Sequence, residues 1–147
     1  MNFQTLRPLI LTKLNTLVGA GQPLQCAYKA HTEKVTGYPA ATFEPSSSES
    51  QFYTNYENLR EFSFDIILWQ EMKVAGREDA IDNLCKAADA IIVAFEGDNT
   101  LTGVGGFHYT KPVSSQWGEI VGQAGPIKFC KLTITCGGEI AVLLLKI

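Results

Sequence analysis

Four cysteines, two histidines and a few carboxylates are the residues in this chain whose chemistry could amount to a site. Cys26, Cys85, Cys130 and Cys136 form no CxxC pair, and neither His31 nor His108 falls near a cysteine in sequence, so the ligand spacing of a zinc site is missing. Nucleophilic catalysis would need Ser, Cys or Thr beside a histidine that a carboxylate orients. His108 lies between Phe107 and Tyr109 in an expected strand, and His31 lies in a polar turn, which suits neither role. Cys130 and Cys136 share a strand face with Leu132 and Ile134 and read as small core side chains. Cys85 falls in the apolar stripe of a helix, so all four read as free structural thiols of a reducing compartment. Asp65 is the odd carboxylate, set in an otherwise apolar strand on the face it shares with Trp69. A lone buried carboxylate is costly. Asp65 is therefore expected to pair with Arg60 or a partner's cation, or to be solvated at a sheet edge. Glu78, Asp79 and Asp82 open a helix, where they complement its positive end rather than form an acid–base pair. No Walker loop, HExxH motif or EF-hand loop occurs. Gly103-Val104-Gly105-Gly106 follows a helix and opens none, so it is no dinucleotide fingerprint. No catalytic residue, cofactor site or metal site is expected.

The elements that would position these residues are best marked between 60 and 95. Phe62, Phe64, Ile66 and Leu68 alternate with Ser63, Asp65, Ile67 and Trp69, a period of two that predicts a strand. Ile81, Leu84, Cys85, Ala88, Ile91, Ile92 and Phe95 then recur at helical spacing, predicting an amphipathic helix that starts at 77. Another helix is expected over 3–18, lined by Phe3, Leu6, Ile10, Leu14 and Leu17. Asn2 or Thr5 would cap it, Pro8 would fall in or near its first turn, and Gly19 and Gly21 would stop it. Strands are expected over 24–30 and 38–43, the second bracketed by Pro39 and Pro45, which suggests an edge position or a strand start. Residues 44–58 combine a Ser-rich run with Phe52, Tyr53 and Tyr56. They read as a mobile surface loop, as the start of a strand reaching Glu71, or as a projecting hairpin that orders on a partner. Turn signals dominate from 95 to 127, and a final hairpin is expected to turn at Gly137-Gly138 between strands over 127–136 and 139–147.

With 147 residues, 46% apolar and 18% charged, the chain is expected to form one domain over 1–147. A net charge of −3 with scattered Lys and Arg argues against a sequence-specific nucleic-acid binder. No signal peptide is expected, and the apolar run over 140–145 is far too short to span a bilayer. The chain therefore reads as soluble and intracellular when made.

The Gly37-Tyr38-Pro39-Ala40 strand entry, the polar loop after it, the strand over 60–69, the Gly76-Arg77-Glu78 helix start and the Asp98-Asn99-Thr100-Leu101 turn follow the N-terminal helix in order. In this layout the chain resembles the tail terminator (tail completion) proteins of long-tailed bacteriophages. The resemblance implies an α+β fold, with one mixed and mainly antiparallel sheet and an N-terminal and a central helix packed on one face. It implies a structural virion protein without enzymatic activity, made in the host bacterial cytoplasm. Such a protein caps the tail tube as a homo-oligomeric ring, expected to be hexameric, ends tail elongation and meets the head connector. Its partners would be further copies of itself, the tail tube protein and a head-completion or connector protein, with no membrane. The interface candidates are Phe52, Tyr53 and Tyr56 in the polar arm, and Asp65, Trp69, His108 and Trp117 elsewhere. Another head–tail connector or minor tail component fits the same layout. From a different class, a small cytosolic ligand-binding protein or enzyme would use the Gly-rich loops, with His108 and Cys130 as the residues of interest.

Overall fold

Asn2 opens the first helix by accepting hydrogen bonds at its side-chain oxygen from the backbone N–H and the hydroxyl of Thr5, at 2.8 and 2.9 Å. This is N-cap chemistry, satisfying a donor that the first helical turn leaves without a partner. The helix, α1, spans Phe3–Asn15 and buries Leu6, Ile10 and Leu14 completely. It ends at Thr16, before the glycines expected to stop it. Pro8 sits inside α1 rather than in its first turn, so its ring forgoes one intrahelical bond. The computed structural model describes residues 2–31, 35–52, 57–73, 76–97, 107–122 and 125–141. Tyr53, Tyr56 and the expected turn over 98–101 lie outside these residues.

Five strands form one mixed sheet: β1 (Cys26–Tyr28), β2 (Ala40–Phe52), β3 (Glu57–Glu71), β4 (Phe107–Gly122) and β5 (Gly125–Ala141). Their spatial order is β1-β2-β3-β5-β4, with β1 parallel to β2 and every other pair antiparallel. A second helix, α2, spans Arg77–Gly97 and links β3 to β4. The fold is α+β, with both helices on one face of the sheet. The alternation in β3 decides that face: Phe62, Phe64, Ile66 and Leu68 are buried and stand opposite Cys136, Ile134, Leu132 and Cys130 of β5. Ring contacts of Phe3 with Phe62 and Phe64, both edge-on, tie α1 to the same layer.

Two expectations change, and the open reading of the Ser-rich run closes. The buried stripe of α2 is Ala80, Leu84, Ala87, Ala88, Ile91 and Phe95, while Cys85 is exposed and Ile81 and Ile92 are only half-buried. The helix turns its alanines inward, where small side chains let its backbone approach the sheet, and Cys85 rotates out. Gly137-Gly138 makes no turn: β5 runs through it, pairing these residues with Glu61 and Arg60. The hairpin closes instead between Gly122 and Gly125, which are paired across the end of β4 and β5, and Gly125 adopts a φ of +121°. The stretch read as turn-dominated from 95 to 127 therefore holds the 16-residue strand β4. Finally, the Ser-rich run is strand: β2 continues past Pro45, with a register shift before Ser47, and stays paired with β3 as far as Phe52.

Candidate assembly interface

No helix covers the other face of the sheet among the described residues, and its character follows from the same alternation. Its centre is a polar ladder across β3 and β5. Ser63 Oγ lies 3.1 Å from Thr135 Oγ1, Thr133 Oγ1 donates to Asp65 Oδ1 at 2.9 Å, and Lys131 Nζ lies 3.5 Å from Asp65 Oδ2. Asp65 is thus hydrogen-bonded, as its type requires. Its cation is Lys131 of the same chain rather than Arg60, and β3 is a central strand rather than a sheet edge. Toward the β1 side, Trp69 Nε1 donates to Thr42 Oγ1 at 2.8 Å, and His31 Nδ1 lies 2.7 Å from the same oxygen. His31 Nε2 is 3.4 Å from Glu44 Oε2, and the His31 backbone N–H donates to Glu44 Oε1. His31 is therefore a fastening of its loop to the sheet. Phe129 leans over Gly118 and meets Trp69 at a ring-centroid distance of 5.8 Å.

The two lateral edges of the sheet differ from its faces. β4 is the outer strand on one side. Among the described residues the exposed large apolar side chains are Val113, Trp117, Ile120 and Val121, all on β4, together with Val93. Trp117 shares the helix-side face with Cys130 across the ladder, yet keeps 41% of its surface exposed because it lies at the sheet margin. At the other side β1 pairs only with Ala40–Thr42 of β2, leaving the rest of that edge without a neighbouring strand among the described residues. Pro45, Ser46, Ser47 and Ser48 are all exposed. Four exposed residues in succession mean that neither face of β2 is covered there, because successive side chains point to opposite faces. On β3, Phe62 and Phe64 opposite this stretch are still covered by Phe3 of α1, so the exposure belongs to β2 as the outer strand.

The sequence-derived candidates are not gathered in one place. Asp65 and Trp69 share the open face of β3, Trp117 sits on β4 at the opposite margin, and His108 lies in β4. Phe52 ends β2. Thr42 and His31, which anchor Trp69, were missed as participants, and so was the apolar content of β4. The Val113, Ile120 and Val121 signal was present in the sequence but hidden among glycines.

At the start of α2, Arg77 pairs with Glu119 of β4, and Lys128 Nζ lies 3.6 Å from the same carboxylate. The hydrogen bond from Arg77 holds the Glu119 carboxyl below its ordinary range, and that carboxylate in turn raises the Arg77 guanidinium. Both groups face solvent, so the pair orients β4 against the helix rather than creating a reactive centre. Burial pushes the Cys130 and Cys136 thiols up to about 11, which keeps them neutral and unreactive. An open cleft of about 440 Å³ is lined by Gly21, Gln22, Tyr38, Asn83 and Lys86 among others, and involves neither His108 nor Cys130. Among the described residues no group of His, Cys, Asp and Glu could hold a metal ion, and no helix is long and apolar enough to cross a membrane.

Neither a known protein family nor a curated protein matches this sequence. Among solved structures, a chain from the virion of a native gene transfer agent particle superposes with a TM-score of 0.65 at 16% sequence identity. The match covers 92% of this chain and 95% of that one. At that identity the likeness is one of fold.

Proposed function

We propose that this chain is a structural protein of a phage-like virion, without enzymatic activity, and that it acts as a tail terminator. In this reading it forms a homo-oligomeric ring, hexameric by analogy with the family it resembles. The ring caps the head-proximal end of the tail tube, ends its elongation and meets the head connector. The observation that carries the virion reading is the near end-to-end fold match to a virion chain. The finer role rests on the sequence layout, on the exposed outer strand β2 over 45–48, and on a strand β4 whose apolar side chains remain exposed in a single copy. Function is argued from these surfaces, since a fold alone hosts many functions.

Imaging particles that incorporate this chain, by electron microscopy with a labelled copy, tests the reading. A ring at the head-proximal end of the tube is expected. A ring inside the head portal, or single copies elsewhere on the tail, would assign the chain to a connector or minor tail role instead. Its absence from particles would remove the virion reading altogether.

A further inference from the structure

The open edges of the sheet have complementary character. β4 has β5 on one side and no strand on the other among the described residues. A strand of this kind presents unpaired N–H and C=O groups as a template for another strand, and natural sheets usually blunt such edges with proline, bulges or charge. β4 carries its proline at Pro112 and its register shifts between Phe107 and Tyr109 and between Pro112 and Ser114. Residues 114–121 contain no proline and no register shift, and their one charge, Glu119, is paired with Arg77 and Lys128. The exposed Trp117, Ile120 and Val121 lie on this unblunted part. Across the sheet, β2 past Thr42 has no neighbour on its outer side among the described residues; its own proline, Pro45, and its register shift both fall before Ser47, and Ser47 and Ser48 beyond them are small, uncharged and exposed. Nothing in those side chains repels an approaching backbone.

We infer that these two edges form one joint: the outer edge of β2 from Ser47 onward in one copy adds to residues 114–121 of β4 in the next, continuing the sheet from subunit to subunit. The inference deepens the ring reading above and rests on it. Strand addition supplies main-chain hydrogen bonds and lets alternate side chains dock, which would cover Trp117 and Ile120. Because the two edges lie at opposite ends of one sheet, the contact is head-to-tail, and head-to-tail contacts close into rings when the rotation between copies permits. A β4-to-β4 contact would be two-fold and would stop at a dimer.

Two chains test this, one with Ser47→Cys and one with Gln116→Cys, each also carrying Cys85→Ser to remove the exposed native thiol. They are mixed, assembled, and treated with a short bis-maleimide, both as concentrated protein and in particles that incorporate the chain. The expected dominant product is an intermolecular 47–116 crosslink. Crosslinks between two copies of position 116 alone, or none, would overturn the joint. A proline pair reads the same edge without crosslinking. Successive N–H groups of a strand point to opposite sides, so of Ser115→Pro and Gln116→Pro one disturbs the ladder to β5 and lowers the melting temperature. The other is expected to leave monomer melting unchanged and abolish assembly; assembly that survives in both would overturn the joint. Rings that form without the 47–116 crosslink remove the joint and leave the ring reading standing. A chain that stays monomeric at every concentration and is missing from particles removes both.

Discussion

Thr42 serves two partners with one hydroxyl. It accepts from Trp69 Nε1, meets His31 Nδ1, and has no exposed surface. Thr42→Val keeps the side-chain shape and strips both neighbours of a partner, so a loss of about 1–3 kcal/mol is expected in denaturant titration, with Thr42→Ser close to the parent. The cysteines carry a pH signature. Cys130 and Cys136 are pushed from an ordinary 9.0 to about 11, chiefly by burial. Below pH 9 both thiols are neutral in the folded and the unfolded chain and cost nothing. Between pH 9 and 11 the unfolded chain ionises while the folded thiols stay neutral, so stability falls as pH rises through that window, by roughly 2–3 kcal/mol per thiol. The slope should flatten in a Cys130→Ala, Cys136→Ala variant, measured by melting at pH 8.5 and 10.5 alongside the parent. In the native protein a thiol reagent should modify Cys85 quickly and leave Cys130 and Cys136 untouched. The burial of those two was legible from their alternation with Leu132 and Ile134. The exposure of Cys85 was not, because a helical stripe read from hydrophobicity alone cannot tell a small apolar residue at the margin from one beneath the helix.

At the scale of elements, α2 is the test of the core. Leu84 and Ile91 are at most 1% exposed against the sheet. Leu84→Asp or Ile91→Asp should abolish cooperative melting, since an unpartnered buried carboxylate costs several kcal/mol out of a total of roughly 5–15. Soluble, cooperatively melting variants would show that the helix packs elsewhere. Gly118 tests the open face: an added Cβ would come within 2.6 Å of the Phe129 ring. Gly118→Ala should therefore swing Phe129 away from Trp69, seen as a change in tryptophan near-ultraviolet dichroism with a melting temperature lowered by only a few degrees, because the ring sits at the surface and has room to move. The strand over Phe62 to Trp69 and both helices were plain in the sequence, where strict periods of two or of three to four leave few alternatives. The Ser-rich half of β2, β4 and the Gly-Gly stretch of β5 were not. Their strand form is imposed by ladder pairing with β3 and β5, and small or polar residues of low strand propensity follow such neighbours when the tertiary context demands it.

For the whole molecule, folding pairs β2 with β3 and assembly is expected to cover the outer edge of β2. Those backbone amides of residues 47–52 that point away from β3 should exchange quickly in the isolated chain and slowly in assembled particles; equal protection of them in both states would count against an interface there. The order of strands has a separate consequence, for how the chain reaches this structure. β3 acquires β2 by a local hairpin, but its other neighbour is far along the chain: Ser63 meets Thr135 across 72 residues and Asp65 meets Thr133 across 68. Everything from α2 through β4 must be synthesised before that side of β3 can be closed. Contacts of such high sequence separation slow folding, and a chain released early would display the apolar flank of β3 to its neighbours. Refolding from denaturant should accordingly be slow, on the scale of ms to s, and its yield should fall with protein concentration as open copies of β3 capture one another. The strand at the centre of the finished sheet is thus its most vulnerable edge while the protein is being made.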